Sequence, residues 1–210
     1  MNARKYKDFP RYQSFAQLLS SLSQNVPYLM FSGLFSTEMA GFYMMSIRVL
    51  HAPTSLIARS TKEVYYQKAA ALFAEGKSIH KLFKKTTFGL TKLGFIPFVL
   101  FGIFSVWIFS FVFGQEWETS GIYAQIILPW SFLGFMNPPS TASLYILGLQ
   151  KFSLKYETSL VISRVLVIYL AFTLFNDDLV TLLSYSILGI LFNAFLIVYC
   201  FRKSKTIINQ

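Results

Sequence analysis

The 210-residue chain is 54% hydrophobic and only 13% charged, against about 25% charged in an average soluble domain, so it has too little polar surface to cover a water-soluble globule. Its 19 Lys and Arg outnumber 9 Asp and Glu, for a net charge of +10. The basic residues flank apolar stretches instead of gathering on one soluble face among exposed aromatics, which argues against a nucleic-acid binder. The single Cys200 cannot form an internal disulfide, and His51 and His80 are too scattered to suggest a metal site. No Gly-rich phosphate loop or G-x-S-x-G elbow is present, so no cofactor and no ATP hydrolysis are expected.

Six long apolar stretches predict helices near 13–34, 39–66, 88–113, 121–147, 153–175 and 179–201. At 1.5 Å per residue each covers a hydrocarbon core of about 30 Å, and runs without an alternating period choose helices over a barrel. The expected class is an all-α integral membrane protein, a six-transmembrane-helix bundle with a cytoplasmic segment at 1–12 and a cytoplasmic tail at 202–210. The first residues lead straight into a full-length span, unlike a cleavable signal peptide.

The first span gathers Gln13, Gln17, Ser20 and Gln24 on one face, with Asn25 and Pro27 nearby. Such a face looks into a wet cavity or serves as interhelical hydrogen bonding. Arg4, Lys5, Lys7 and Arg11 precede it, whereas the turn Ser36 to Glu38 that follows has no Lys or Arg.

The second span carries the strongest signal. Arg48 lies near the bilayer midplane, and Arg59 returns to almost the same face eleven positions later at 100° per residue. Ser55, Lys62 and Tyr66 fall close to that stripe, and Gly41 and Met44 extend it outward. A central arginine is unfavourable by roughly 2.5–3.5 kcal/mol even on the lenient insertion scale. Arg48 has no acidic residue one turn away, so it lines a water-filled, anion-attracting site or pairs with a group on another helix. Arg59 and Lys62, with Glu63 as a nearby partner, either snorkel to the inner surface or form the mouth of that site. His51 beside Pro53 reads as a polar residue at a kink.

Lys68, Lys77, Lys81, Lys84 and Lys85 follow, and the segment from Tyr65 to Lys85 reads as a helical extension that then lies on the inner surface. Lys92 snorkels from the inner end of the third span. Glu116 and Glu118 mark the next turn, again without Lys or Arg. Trp107, Trp117 and Trp130 with Tyr123 suggest an interfacial aromatic belt. In the fourth span Pro129, Asn137, Pro138 and Pro139 leave carbonyls unsatisfied, a static kink or a hinge. Lys151 and Lys155 precede the fifth span, whose Arg164 is the second deep charge and whose Glu157 is two turns away. The turn Asn176 to Asp178 lacks Lys and Arg, and Arg202, Lys203 and Lys205 close the chain. By the excess of positive charge, the basic connections should be cytoplasmic and the others external.

Three runs carry a family resemblance: Ala40-Gly41-Phe42-Tyr43, Arg48-Val49-Leu50-His51-Ala52-Pro53-Thr54-Ser55-Leu56-Ile57, and Glu63-Val64-Tyr65-Tyr66-Gln67-Lys68-Ala69-Ala70. With Phe113-Gly114-Gln115-Glu116-Trp117, Gly121-Ile122-Tyr123 and Pro129-Trp130, the chain resembles the second half of Wzx-type polysaccharide flippases, of the MOP exporter superfamily. Members generally pair two six-helix bundles around a central cavity, and the resemblance covers only the second. It implies translocation of an oligosaccharide on undecaprenyl pyrophosphate between leaflets of the bacterial inner membrane, without enzymatic chemistry. It also implies a second bundle or polysaccharide-assembly proteins as partners.

On that picture Arg48 holds the anion, Arg59 and Lys62 attract it, and Ser55, Gln24, Asn25 and Arg164 complete the substrate site, with Pro53, Pro138 and Pro139 as hinges. Alternatives are half of a MATE-like small-molecule exporter, which would show a buried acid that this chain lacks, and an inactive truncated fragment. A membrane polysaccharide polymerase would carry a large outward loop, and every outward turn here is short.

Overall fold

The computed structural model describes residues 23–205. Among them the protein is an α-helical membrane bundle without strands. Helix α1 occupies 23–34 and is followed by α2 (Thr37–Ala74), α3 (His80–Phe113), a 3-10 turn at Gln115–Trp117, α4 (Glu118–Phe135), α5 (Pro138–Ile146), α6 (Gln150–Phe175) and α7 (Asp178–Lys203). By length and apolarity α3, α6 and α7 each suffice to cross a membrane. Helix α2 is longer still, but Arg48, Arg59, Lys62 and their polar neighbours dilute it.

Local chemistry sets the helix ends. Ser36 caps α2 by accepting from the Met39 amide at 3.1 Å, and Asp177 caps α7 by accepting from the Val180 amide at 2.8 Å. Helix α6 stops at Asn176, whose φ of 48° is left-handed. The segment from Tyr65 to Lys85 does not lie flat as one surface extension. Helix α2 continues to Ala74, the chain reverses at Gly76 (φ +69°), and α3 rises from His80. Tyr65 and Phe83, both buried, pack these two stems together at 6.4 Å. The stretch expected as one helix over 121–147 divides between α4 and α5, because Pro138 and Pro139 bring no N–H to the carbonyls of Gly134 and Phe135. At the start of α5 the two prolines cost nothing.

Helix α4 is the centre of the bundle, with α2, α3 and α7 packed around it; α5 continues between α2 and α7, and α6 lies on α7. Contacts are close where residues are small, as membrane helices require. A Cβ on Gly121 would meet the Val106 Cα at 2.5 Å, and the Ser105 hydroxyl donates to the Gly121 carbonyl at 3.0 Å. Ser46 on α2 reaches the Ser120 carbonyl at 2.7 Å. The C-terminal half of α1 is wedged against this core: Phe31 stacks on Tyr43 at 5.7 Å, and Phe35 meets Phe172 edge-on at 5.0 Å.

With α4 and α5 counted as one pass, successive passes alternate in direction, so charge sorts to two ends. Tyr123 donates to Asp178, tying α4 to α7 at the end that holds Glu38, Glu116, Glu118, Asp177 and Asp178. At the opposite end His80 is hydrogen-bonded to Ser204 at 2.9 Å, among Lys77, Lys81, Lys84, Lys85, Lys151, Arg202 and Lys203.

Candidate functional site

Arg48, Ser55, Arg59, Lys62 and Tyr66 share one outer face of α2. Ala40, Tyr43, Ser46, Leu50, Tyr65 and Ala69 are its buried residues, whereas Arg48, His51, Pro53, Ser55, Arg59 and Tyr66 are exposed. Arg48 lies about 16 Å along the helix from Thr37 at 1.5 Å per residue, halfway across a core of about 30 Å. Among the described residues no acidic or carbonyl group takes its guanidinium. Pro53, about 140° around the helix from Arg48, is exposed inside an unbroken helix, where the Thr54 hydroxyl donates to the Leu50 carbonyl at 3.0 Å and Ser55 donates to the Ala52 carbonyl at 3.1 Å. These hydroxyls bond helix carbonyls on either side of the proline, whereas the carbonyl that Pro53 deprives of its ladder partner is that of Val49.

Toward the basic end the same face forms an open groove of about 390 Å³, lined by Arg59, Lys62, Glu63, Tyr66 and Gln67. Arg59 pairs with Glu63 at 3.3 Å, an exposed i,i+4 contact. Lys62 is half-buried, with its ammonium 5.7 Å over the Tyr145 ring of α5. Among the described residues, the pair Arg59–Glu63 leaves Lys62 and Arg48 as the cations without a carboxylate on this face.

Arg164 has a different setting. It is 6% exposed, and one terminal nitrogen donates to the Ser23 hydroxyl at 2.6 Å and the Ser23 carbonyl at 3.0 Å. Its guanidinium lies 5.7 Å from the Trp130 ring and 5.5 Å from the Tyr185 ring. Arg164 therefore joins α1, α4, α6 and α7 from inside the bundle and does not share a surface with Arg48. Gln24 and Asn25 are exposed on α1, and the inward residue there is Ser23. Gln13, Gln17 and Ser20 lie outside the described residues.

Trp130 is not part of an interfacial belt. It packs between Arg164, Tyr185 and, at 6.3 Å, the ring of His51, and Gly189 gives it room because a Cβ there would strike the indole. Tyr123 is fully buried as well. Trp107, 61% exposed and stacked on Phe111 at 5.0 Å, is the ring that faces outward. At the α4–α5 break the Asn137 amide donates to Asn193, which in turn donates to the Gly189 carbonyl at 2.8 Å. Pro138 and Pro139 are buried beside it.

The site is thus a polar, cationic wall on one helix of a lipid-embedded bundle, without a cluster of His, Cys, Asp or Glu able to hold a metal among the described residues. The profile of a family described as polysaccharide biosynthesis protein matches residues 2–121, more than half of the chain, including all of α2 and α3. The chain belongs to this polysaccharide biosynthesis protein family. The match spans the whole Arg48–Gln67 face and ends where α4 begins. No curated protein and no solved structure matches the chain.

Proposed function

We propose that the protein is one bundle of a membrane transporter that carries oligosaccharide units on undecaprenyl pyrophosphate from the inner to the outer leaflet of a bacterial cytoplasmic membrane. The observation that carries this reading is Arg48: a guanidinium at mid-depth, exposed on α2, with no counter-charge among the described residues of a polysaccharide biosynthesis protein. If lipid covered that face, the charge would cost roughly 2.5–3.5 kcal/mol or more. A water-filled cavity between this bundle and a second one removes the cost, and a pyrophosphate passing through it offers the planar fork two oxygens.

The basic end faces the cytoplasm on this reading, and both termini lie there. The groove with Arg59 and Lys62 is then the inner mouth, where cations concentrate the anionic head group before it reaches Arg48. Ser55, Gln24 and Asn25 offer hydroxyl and amide groups to sugars. Arg164 acts by holding α1 against the bundle. The bundles rock around the cavity to move the cargo, with Pro53 and the Pro138–Pro139 break as flexing points. A cation exporter of the same superfamily would need an acid at the depth where Arg48 stands.

The test is Arg48→Ala in a strain that depends on this protein for polysaccharide export. Export should fall to background while membrane abundance stays normal, and Arg48→Lys should restore only part of it, since lysine supplies charge without the fork. Full export by Arg48→Ala would end the proposal.

A further inference from the structure

The basic half of α3 carries a second cationic surface that the transport reading does not use. Lys81, Lys84, Lys85, Phe88, Lys92 and Phe95 recur at helical spacing on one exposed stripe, within about 100° of arc at 100° per residue. The opposite side of the helix packs into the bundle through Phe83, Leu90, Gly94 and Phe98. The stripe therefore faces away from the protein, toward the surrounding bilayer.

Its depth is set by the helix. From Lys92 to Phe113, α3 spans about 31 Å at 1.5 Å per residue, the thickness of the hydrocarbon core, so Lys92 marks its boundary and the other three lysines stand at head-group level and beyond. Below that boundary the stripe turns apolar, with Phe95 58% and Ile96 65% exposed. The Lys92 ammonium lies 4.9 Å over the Phe88 ring, which holds its stem along the helix. None of these lysines has a carboxylate partner among the described residues, whereas Lys77 is neutralised by Glu75 at 2.7 Å, which also raises its pKa. Hydrogen bonds from Ser78 and His80 to Ser204 bring the cations of the chain's end beside the same stem.

We infer that this stripe is a binding site for an anionic phospholipid of the bilayer, with the phosphate among Lys84, Lys85 and Lys92 and an acyl chain along Phe95 and Ile96. Membrane depth, outward orientation and the switch from lysine to apolar surface fit a lipid, not a soluble phosphate.

The full chain, purified in detergent, is titrated with fluorescent phosphatidylglycerol and phosphatidylcholine. Wild type should prefer phosphatidylglycerol by about tenfold or more, at about fivefold per head-group lysine, and the preference should shrink with added salt. Lys81, Lys84, Lys85 and Lys92 changed together to Gln should abolish it, and the four changed to Arg should keep it. If the fourfold Gln variant misfolds, Lys92→Gln alone should lower it several-fold. Equal affinity for the two lipids, a preference that survives the Gln changes in a folded protein, or complete displacement by millimolar inorganic phosphate would overturn the assignment.

Discussion

Arg48 and Arg164 stand about 16 Å below the same end of the bundle, each eleven residues from the helix terminus at 1.5 Å per residue, yet their surroundings differ in every respect. Arg48 is exposed and unpaired among the described residues; Arg164 is enclosed by Ser23, Trp130 and Tyr185. The aromatic faces and the Ser23 oxygens replace water around Arg164 without supplying a negative charge. Arg164→Ala should therefore destabilise the detergent-purified protein by about 2–3 kcal/mol, read as a lower thermal midpoint. Arg164→Lys should recover only part of that loss, because an ammonium cannot reproduce the stacked, forked contact. An unchanged midpoint for Arg164→Ala would show that the clamp contributes nothing. The two arginines are equally conspicuous in the sequence, whereas their partners are not: Ser23 sits beside the more polar Gln24 and Asn25, and Trp130 is indistinguishable from a belt residue until α7 is placed against it.

Helices here are shaped by where backbone polarity is satisfied and where side chains vanish. The divided α4–α5 rod follows from two adjacent prolines, which the sequence displays, but the Asn137–Asn193 bond that closes the break joins residues far apart in the chain. Close approach of α3 and α4 depends on Gly121, whose added Cβ would meet backbone at Val106 that cannot turn aside. Gly121→Ala should cost about 1–3 kcal/mol by overpacking. Gly41→Ala, with nothing within 4 Å, should be neutral or slightly stabilising through helix propensity. Thermal unfolding of the pair checks both, and equal midpoints would remove Gly121 from the packing argument.

Across the bundle, the separation of lysine and arginine from the acidic turns is the feature with the longest reach. Passes that alternate in direction carry Glu38, Glu116 and Asp178 to one end and the lysine-rich loops to the other. If the basic end is cytoplasmic, a periplasm-active reporter fused near Glu116 should be active, and replacing Lys77, Lys81, Lys84 and Lys85 together with Gln should lower that activity by admitting inverted molecules. A reporter at Glu116 indifferent to those changes would assign orientation to other residues.

Composition and charge spacing were enough to place this chain in a membrane as an all-helical bundle, and to mark Arg48, Arg59 and Lys62 as one face of one helix. Both properties are local: lipid admits only backbones that satisfy themselves, and a helical period is readable within a few turns. Contacts between helices have no such local signature. In lipid no hydrophobic difference separates a packed face from an exposed one, so Leu50 and Leu56 look alike in the chain although the first is 5% and the second 72% exposed. Only packing of α1, α4, α6 and α7 around one another buried Arg164, drew Trp130 against it, and left the charged wall of α2 open.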